Sequence, residues 1–166
     1  MTSLMESLST YMVPFNMFFP EINLLQSGNF FKVMRGEEEL GIFMALELYC
    51  PDPDCDCQKV LIQFFEVINQ EPRAHASLSY GWESIPFYQK WGGMTKKEAL
   101  EMKEGYLEPF NPQLQYAPEL LEAFRSRIKE DPQFLKKLKL HYTMVKDKIS
   151  QKEEHKKNVI PIRPRR

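Results

Sequence analysis

The pattern of hydrophobic and polar positions changes near the middle of this 166-residue chain. In the first half, short runs of apolar, β-branched and aromatic residues predict strands over 30–35, 40–49 and 60–68. An alternation of polar and apolar residues predicts a fourth, half-exposed strand over 73–80. Because strands joined by short turns usually pair with each other, we expect an antiparallel sheet of about four strands.

The second half has the spacing of helices. Thr95 and Glu98 form the signature of a capping box, which predicts a helix that begins after Thr95. A further helix is predicted over 116–129, and Asp131 followed by Pro132 marks the start of a final one. The sequence therefore predicts an α+β fold, with the sheet in the N-terminal half packed against C-terminal helices.

Length and composition fit one domain with its own core. The chain is 43% hydrophobic and 27% charged, which is typical of a globular protein. We predict a single α+β domain over 29–150. Residues 1–28 are expected to form a flexible or partly ordered segment, and 151–166 a charged, disordered tail.

Charge and hydropathy exclude some classes of partner. The net charge of -1 gives no general attraction to nucleic acid or to anionic membranes, apart from the basic tail. No apolar run approaches the roughly 20 residues that a membrane helix needs. The apolar stretch 12–19 is short, contains a proline and has no basic residues before it, so we do not expect a signal peptide. These features predict a cytoplasmic protein, and an unknown protein partner remains open.

All the cysteines of the chain are clustered. Cys50, Cys55 and Cys57 have the spacing Cys-x4-Cys-x-Cys, and Pro51 and Pro53 stiffen the loop between the first two. Three thiols cannot all pair within one chain, and clustered thiols in a reducing compartment are typical of metal sites or redox groups. Because thiolates favour soft and borderline ions, the leading prediction is a Zn²⁺ site.

A closed structural zinc site needs a fourth ligand. His141 is the first candidate, because it lies on a predicted helix face that is otherwise apolar. The alternative for His141 is a core histidine with a hydrogen-bond partner. His75 lies on the polar side of the predicted fourth strand, where we expect it to face solvent. A carboxylate or water also remains open, and His155 in the charged tail is the weakest candidate.

Three functions follow from these alternatives. With His141 as ligand, the site is structural and the protein is a zinc-stabilised binding or adaptor module, with no catalytic or cofactor-binding residue assigned. With water in the fourth position, it is a zinc-dependent hydrolase, for which Glu47 and Glu66 are the nearest strand carboxylates. The third function is a thiol redox sensor, although the chain has no Cys-x-x-Cys motif and Lys59 is the nearest basic residue.

Aromatic residues cluster where the strands give way to the helices. The cluster consists of Trp82, Phe87, Tyr88 and Trp91, and the stretch 85–91 predicts a short helix or an irregular turn. A packing joint between sheet and helices is favoured over a ligand-binding groove.

Several segments together resemble a known group of sequences. The segments 47–61, 106–113, 116–121 and 141–146 are similar to an uncharacterised bacterial protein family with the motif Tyr-Cys-x4-Cys-Asp-Cys and a His-Tyr pair near its end. Some members continue into a SEC-C motif, a small zinc-binding tail, whereas this chain has the sequence Pro-Ile-Arg-Pro-Arg-Arg over 161–166. The resemblance covers most of 40–150. It implies metal binding at the three cysteines, favours His141 as a ligand, and implies no particular reaction.

Overall fold

The fold is an α+β domain in a computed structural model that describes residues 12–23, 29–66, 74–109, 111 and 113–158. Its sheet is antiparallel throughout and contains six strands among these residues. The strands are β1 (Val13–Pro14), β2 (Phe30–Arg35), β3 (Glu38–Tyr49), β4 (Lys59–Glu66), β5 (Ala74–Gly81) and β6 (Tyr106–Leu107). The predicted count of about four was too low, because β1 and β6 have two residues each and are too short to show a periodic pattern.

The helices lie mostly in the C-terminal half. They are α1 (Phe15–Phe18), α2 (Ile85–Gly92), α3 (Lys96–Glu104), α4 (Ala117–Glu130) and α5 (Pro132–Asn158). The predicted capping box is confirmed, since Thr95 Oγ1 accepts the Glu98 N–H at 3.1 Å and Glu98 Oε2 accepts the Thr95 N–H at 3.0 Å. Among the described residues, no helix has the length and apolar character needed to cross a membrane.

The long strand β3 organises the sheet. One edge of β3 pairs with β4, and β4 in turn pairs with β5. The other edge of β3 is shared by β2 and, further along, by β1. The sheet is therefore widest around the end of β3 that leads to Cys50.

One face of the sheet packs against α4 and α5 and forms the main core. From α4, Leu120 and Phe124 are fully buried, and from α5, Leu138 and Val145. Burying a side chain of this size contributes about 1.5–3 kcal/mol. The sheet side of the core consists of alternate residues of its strands, among them Phe31, Phe43, Ala45, Tyr49, Val60, Ile62, Phe64, Ala76 and Leu78.

A β-bulge changes the position of His75. Phe64 pairs with Ala76 and Phe65 pairs with Ala74, so His75 is an extra residue in β5. The bulge turns its ring toward the core, where it lies 5.2 Å from the Phe43 ring. The expectation of a solvent-facing His75 was wrong: the residue is 9% exposed.

The structure describes parts of both predicted terminal segments. The α5 helix continues to Asn158, so residues 151–158 of the predicted tail are helical, while 159–166 lie outside the described residues. At the other end, β1 and α1 belong to the segment predicted as flexible or partly ordered. Phe15 of α1 is buried in the main core.

Candidate metal centre

The three cysteines lie in the loop between the two central strands. Cys50 directly follows β3 and Cys57 comes shortly before β4, so the hairpin geometry holds the two ends of the loop together. The three sulfur atoms all lie within 4.8 Å of one another. Cys50 and Cys57 are buried and Cys55 is partly exposed. The predicted clustering of the thiols is confirmed.

The first half of this loop is held by a tight turn and by a lysine from α5. The Asp52 carboxylate accepts the Asp54 N–H at 2.9 Å, and the Asp52 carbonyl accepts the Cys55 N–H at 3.3 Å. Lys146 Nζ donates to the carbonyls of Cys50 at 3.2 Å and of Asp52 at 2.7 Å. Lys146 therefore attaches the loop to the helical layer.

The second half of the loop is fixed through Gln58, which has a left-handed backbone with φ of 47°. Its N–H donates to the Tyr142 hydroxyl at 3.3 Å, and its carbonyl accepts the Tyr88 hydroxyl at 2.6 Å. The indole N–H of Trp82 donates to the Gln58 side-chain oxygen at 3.1 Å. Three aromatic residues from three parts of the chain thus hold the residue that follows Cys57.

These bonds also show what the aromatic cluster does. Tyr88 is fully buried and its ring packs edge-to-face on Phe87 and Trp91. The buried part of the cluster is the packing joint that the sequence favoured. Trp91 differs, because it is 38% exposed and lines the cavity described below.

The three thiols differ in their pKa values. A hydrogen bond from the Cys57 thiol, helped by the backbone of Asp52 and the charge of Lys146, lowers the pKa of Cys50 to about 5. The same bond raises the pKa of Cys57, and burial raises the pKa of Cys55. Lys59 was the only basic neighbour that could be identified from the sequence, because Lys146 comes from a helix and lies 96 residues beyond Cys50 in the chain.

The sulfur positions fit a thiolate-bound ion. In a tetrahedral zinc site with Zn–S bonds of about 2.3 Å, neighbouring sulfurs lie about 3.8 Å apart. Three sulfurs within 4.8 Å of one another match that spacing after a small contraction of the loop. They supply three of the four positions that such an ion uses.

The structure does not bring His141 together with the sulfurs. All the histidines of the chain lie in the described residues, yet no histidine nitrogen belongs to the group within 4.8 Å. His141 Nδ1 lies 2.8 Å from Glu47 Oε1, and its ring stacks on Phe15 with the centroids 3.9 Å apart. This is the alternative of a core histidine with a hydrogen-bond partner, and its role as fourth ligand stays a prediction.

Glu47 is a buried carboxylate with three donors. Besides His141, it accepts the Tyr49 hydroxyl at 2.6 Å and the Asn29 side-chain N–H at 2.7 Å, and it is 4% exposed. Burial alone would raise the pKa of Glu47, but the hydrogen bonds from these donors together lower it. A saturated, ionised carboxylate of this kind is a poor general base. The sequence already indicates that Glu47 needs a buried hydrogen-bond partner, because Glu47 lies on the same side of an apolar strand as Ala45 and Tyr49.

The other candidates also lie outside the sulfur group. His75 Nε2 is 3.4 Å from a carboxylate oxygen of Glu66, and its ring stacks on Tyr116. His155 is exposed on the last turns of α5. Within the described residues, the group that could hold a metal ion therefore consists of the three cysteines.

A cavity of about 500 Å³ opens next to the three cysteines. It lies on the second face of the sheet, because α2 and α3 cover that face only near the end of β5. All three cysteines line it, together with Met12, Leu48, Asp52, Lys59, Leu61, Gln63, Ser79, Trp91, Tyr106, Glu108 and Asn111. The candidate metal site is thus part of the wall of a largely apolar cavity.

No protein-family model, curated protein or solved structure matches this chain. The cysteine loop and the cavity beside it are therefore the features from which we infer a function.

Proposed function

We propose that this protein binds one zinc ion through Cys50, Cys55 and Cys57, and that the ion fastens the β3–β4 loop of a binding module. The observation that carries the proposal is the approach of three sulfur atoms to within 4.8 Å of one another. Three thiolates favour zinc over harder cations such as calcium or magnesium. A reducing, cytoplasmic location follows as part of the proposal, because it keeps the thiols available for a metal.

The surroundings of the sulfurs support binding of a cation. Lys146 and the aromatic partners of Gln58 fix the loop on both sides of Cys55, so little chain entropy is lost when the thiolates close on an ion. Cys50 already has a low pKa, which reduces the number of protons that the metal must displace.

We propose that the fourth position faces the cavity rather than His141. The cavity is lined by all three cysteines, whereas the His141 ring is occupied by Glu47 and Phe15. This arrangement combines the stabilising role predicted from the sequence with the open position of the metalloenzyme alternative. The relation to the bacterial Tyr-Cys-x4-Cys-Asp-Cys family, and a protein partner, stay proposals of the same kind.

Metal analysis of the purified protein tests the site. We expect one zinc per chain, and we expect Cys50→Ser, Cys55→Ser and Cys57→Ser each to weaken zinc binding by more than about 100-fold, since even outer partners of a metal ligand contribute 10- to 100-fold. Asp54→Asn is the matched control, because Asp54 is exposed in the same loop and is expected to leave the affinity unchanged. A folded, metal-free protein whose thiols cycle reversibly with a disulfide would instead support the redox sensor.

A separate variant decides the role of the histidine. We expect His141→Gln to keep zinc affinity within about threefold of the parent while it lowers thermal stability, because the substitution breaks the buried pair with Glu47. A loss of affinity as large as that of the cysteine variants would restore His141 as the fourth ligand.

A further inference from the structure

We propose, on the basis of the proposed metal site, that the cavity binds a small molecule that carries a thiol and, a few bonds away, an anionic group. The thiol sulfur takes the fourth metal position and Lys59 binds the anion. The proposal rests on the lining of the cavity, to which Cys57 and Lys59, two residues apart in the sequence, both contribute.

The cavity has the size and walls of a small-molecule site. Its volume of about 500 Å³ lies within the usual range of about 300–1,000 Å³ for ligand pockets. Leu48 and Leu61 are paired residues of neighbouring strands, and both line the cavity together with Trp91 of α2. A lining of apolar side chains with a few polar groups suits a ligand with a short aliphatic chain.

The three cysteines favour a soft ligand atom in the fourth metal position. They supply soft sulfur ligands on one side of the ion, and no histidine nitrogen joins them in the described residues. A thiol is the soft donor that a small molecule most readily offers to such a centre. On binding, the S–H bond of the ligand breaks, its proton passes to solvent, and the sulfur replaces water at the fourth position without any change in oxidation state.

The charges around the cavity favour an anionic group as the second feature of the ligand. Lys59 follows Cys57 by two residues, and its ammonium group lies 5.7 Å from the centre of the Trp91 ring. No ion pair joins Lys59 to a carboxylate of the described residues.

The acids of the cavity wall have other partners. The Glu108 carboxylate accepts the Ser79 hydroxyl, and that of Asp52 accepts the Asp54 N–H at 2.9 Å. Lys59 is therefore placed to meet a ligand anion, and its charge offsets the net negative charge of three thiolates around a divalent ion.

Cobalt-substituted protein gives a direct test, because the visible bands of protein-bound Co²⁺ change when a sulfur ligand is added. The probes are 3-mercaptopropionate, 2-mercaptoethanol and propionate, which have the thiol and the anion, the thiol alone and the anion alone. We expect both thiols to change the bands, and we expect the change to saturate at a concentration about three- to tenfold lower with 3-mercaptopropionate than with 2-mercaptoethanol. A gain in affinity of this size is what one partly buried charge-assisted hydrogen bond provides. Propionate alone is expected to leave the bands unchanged.

Variants of Lys59 separate the anion site from general thiol binding. We expect Lys59→Met to abolish the preference for 3-mercaptopropionate while Lys59→Arg retains it, and we expect both variants to show the sulfur-to-metal absorption of bound Co²⁺. If Co²⁺ binds with sulfur-to-metal absorption but no thiol alters its bands, the ligand proposal fails and the metal site stands. Equal affinity for the two thiols, or removal of Co²⁺ from the protein by them, also overturns it. Absence of any sulfur-bound Co²⁺ refutes the metal site itself.

Discussion

At the scale of single residues, a buried carboxylate and a buried histidine join the two layers of the domain. Glu47 belongs to β3 and His141 to α5, and their side chains meet at 2.8 Å in the core. Asn29 and Tyr49 complete the hydrogen bonding of the carboxylate. Breaking such a group from one side leaves the remaining polar atoms buried without a partner, which is more costly than the bond itself is worth.

The lowered pKa of Glu47 predicts how stability depends on pH. A carboxyl group whose pKa is lower in the folded protein stabilises the fold above its ordinary pKa of about 4.3, and this contribution is lost as the pH falls through the folded value. We therefore expect the free energy of unfolding of the parent protein to fall more steeply below about pH 5 than that of Glu47→Gln. Urea unfolding at a series of pH values measures this difference.

At neutral pH, Glu47→Gln is expected to lose about 1–3 kcal/mol of stability, because the amide cannot accept all three donors. Glu37→Gln, in the exposed turn between β2 and β3, is the control and should match the parent at every pH. If Glu47→Gln and the parent lose stability in parallel as the pH falls, folding does not lower the pKa of this carboxyl group.

Tyr142 links the helical layer to the cysteine loop through one hydroxyl. That hydroxyl accepts the Gln58 N–H, so Tyr142→Phe leaves a backbone donor beside Cys57 without its partner. We expect a loss of about 1 kcal/mol in stability and about tenfold weaker zinc binding, the size of effect typical of groups that position a ligand. Calorimetric metal titration checks the affinity, with Tyr116→Phe as the control, since Tyr116 stacks on His75 away from the loop. Unchanged affinity in Tyr142→Phe would show that the loop holds Gln58 without it.

At the scale of elements, the contact between β5 and the α2–α3 hairpin depends on a glycine. A Cβ atom on Gly81 would lie 2.5 Å from Tyr88 Cζ, still closer to the Tyr88 hydroxyl, and 2.8 Å from Met102 Cγ. Tyr88 cannot move away freely, because its hydroxyl is bound to the Gln58 carbonyl. Gly81→Ala is therefore expected to separate the hairpin from the sheet and to loosen the cysteine loop.

We expect Gly81→Ala to cost about 1–3 kcal/mol, the usual range for overpacking a rigid site. Gly92→Ala is the matched control, because the nearest atom to its added Cβ is the flexible end of Met94 at 3.1 Å. Thermal unfolding compares the two variants. Equal stability of Gly81→Ala and Gly92→Ala would mean that the hairpin moves at little cost.

The sequence predicts elements well where local signals and burial agree. The predicted strand 30–35 and the capping box at Thr95 are found as expected, because each depends on a repeated apolar pattern or on a local cap. The bulge at His75 was missed, since one inserted residue shifts the side-chain alternation without altering composition. The α5 helix continues past 150 because helix-forming Lys, Glu and Gln follow even though the apolar stripe ends.

The candidate site was predictable only where its residues are close together in the sequence. The proximity of the three cysteines follows from their spacing in one loop, which sequence alone displays. The positions of Lys146 and Tyr142 beside that loop depend on how α5 crosses the sheet, and that is fixed by tertiary packing. His141 and Tyr142 are adjacent in sequence, yet they face different neighbours, Glu47 for one and the cysteine loop for the other.

At the scale of the whole molecule, the core extends far beyond the cysteine loop. It lies between the sheet and the two long helices and contains large buried side chains from both halves of the chain, and Cys50 and Cys57 are two of its many members. Zinc should therefore add stability to a domain that already folds without it, in contrast to small zinc domains that are unfolded without metal.

Removal of zinc tests this division of roles. With free zinc at a thousandfold excess over its dissociation constant, binding adds about 4 kcal/mol, which corresponds to a rise of about 8–16 °C in the melting temperature of a domain this size. We expect a chelator to lower the melting temperature by that amount while the far-ultraviolet circular dichroism at 20 °C stays that of a folded α+β protein. The variant with all three cysteines changed to serine is the control and should melt at one temperature with or without zinc. Complete unfolding on chelation would contradict an independent core, and an unchanged melting temperature of the parent protein would contradict the metal site, because an ion that binds the folded chain alone must stabilise it.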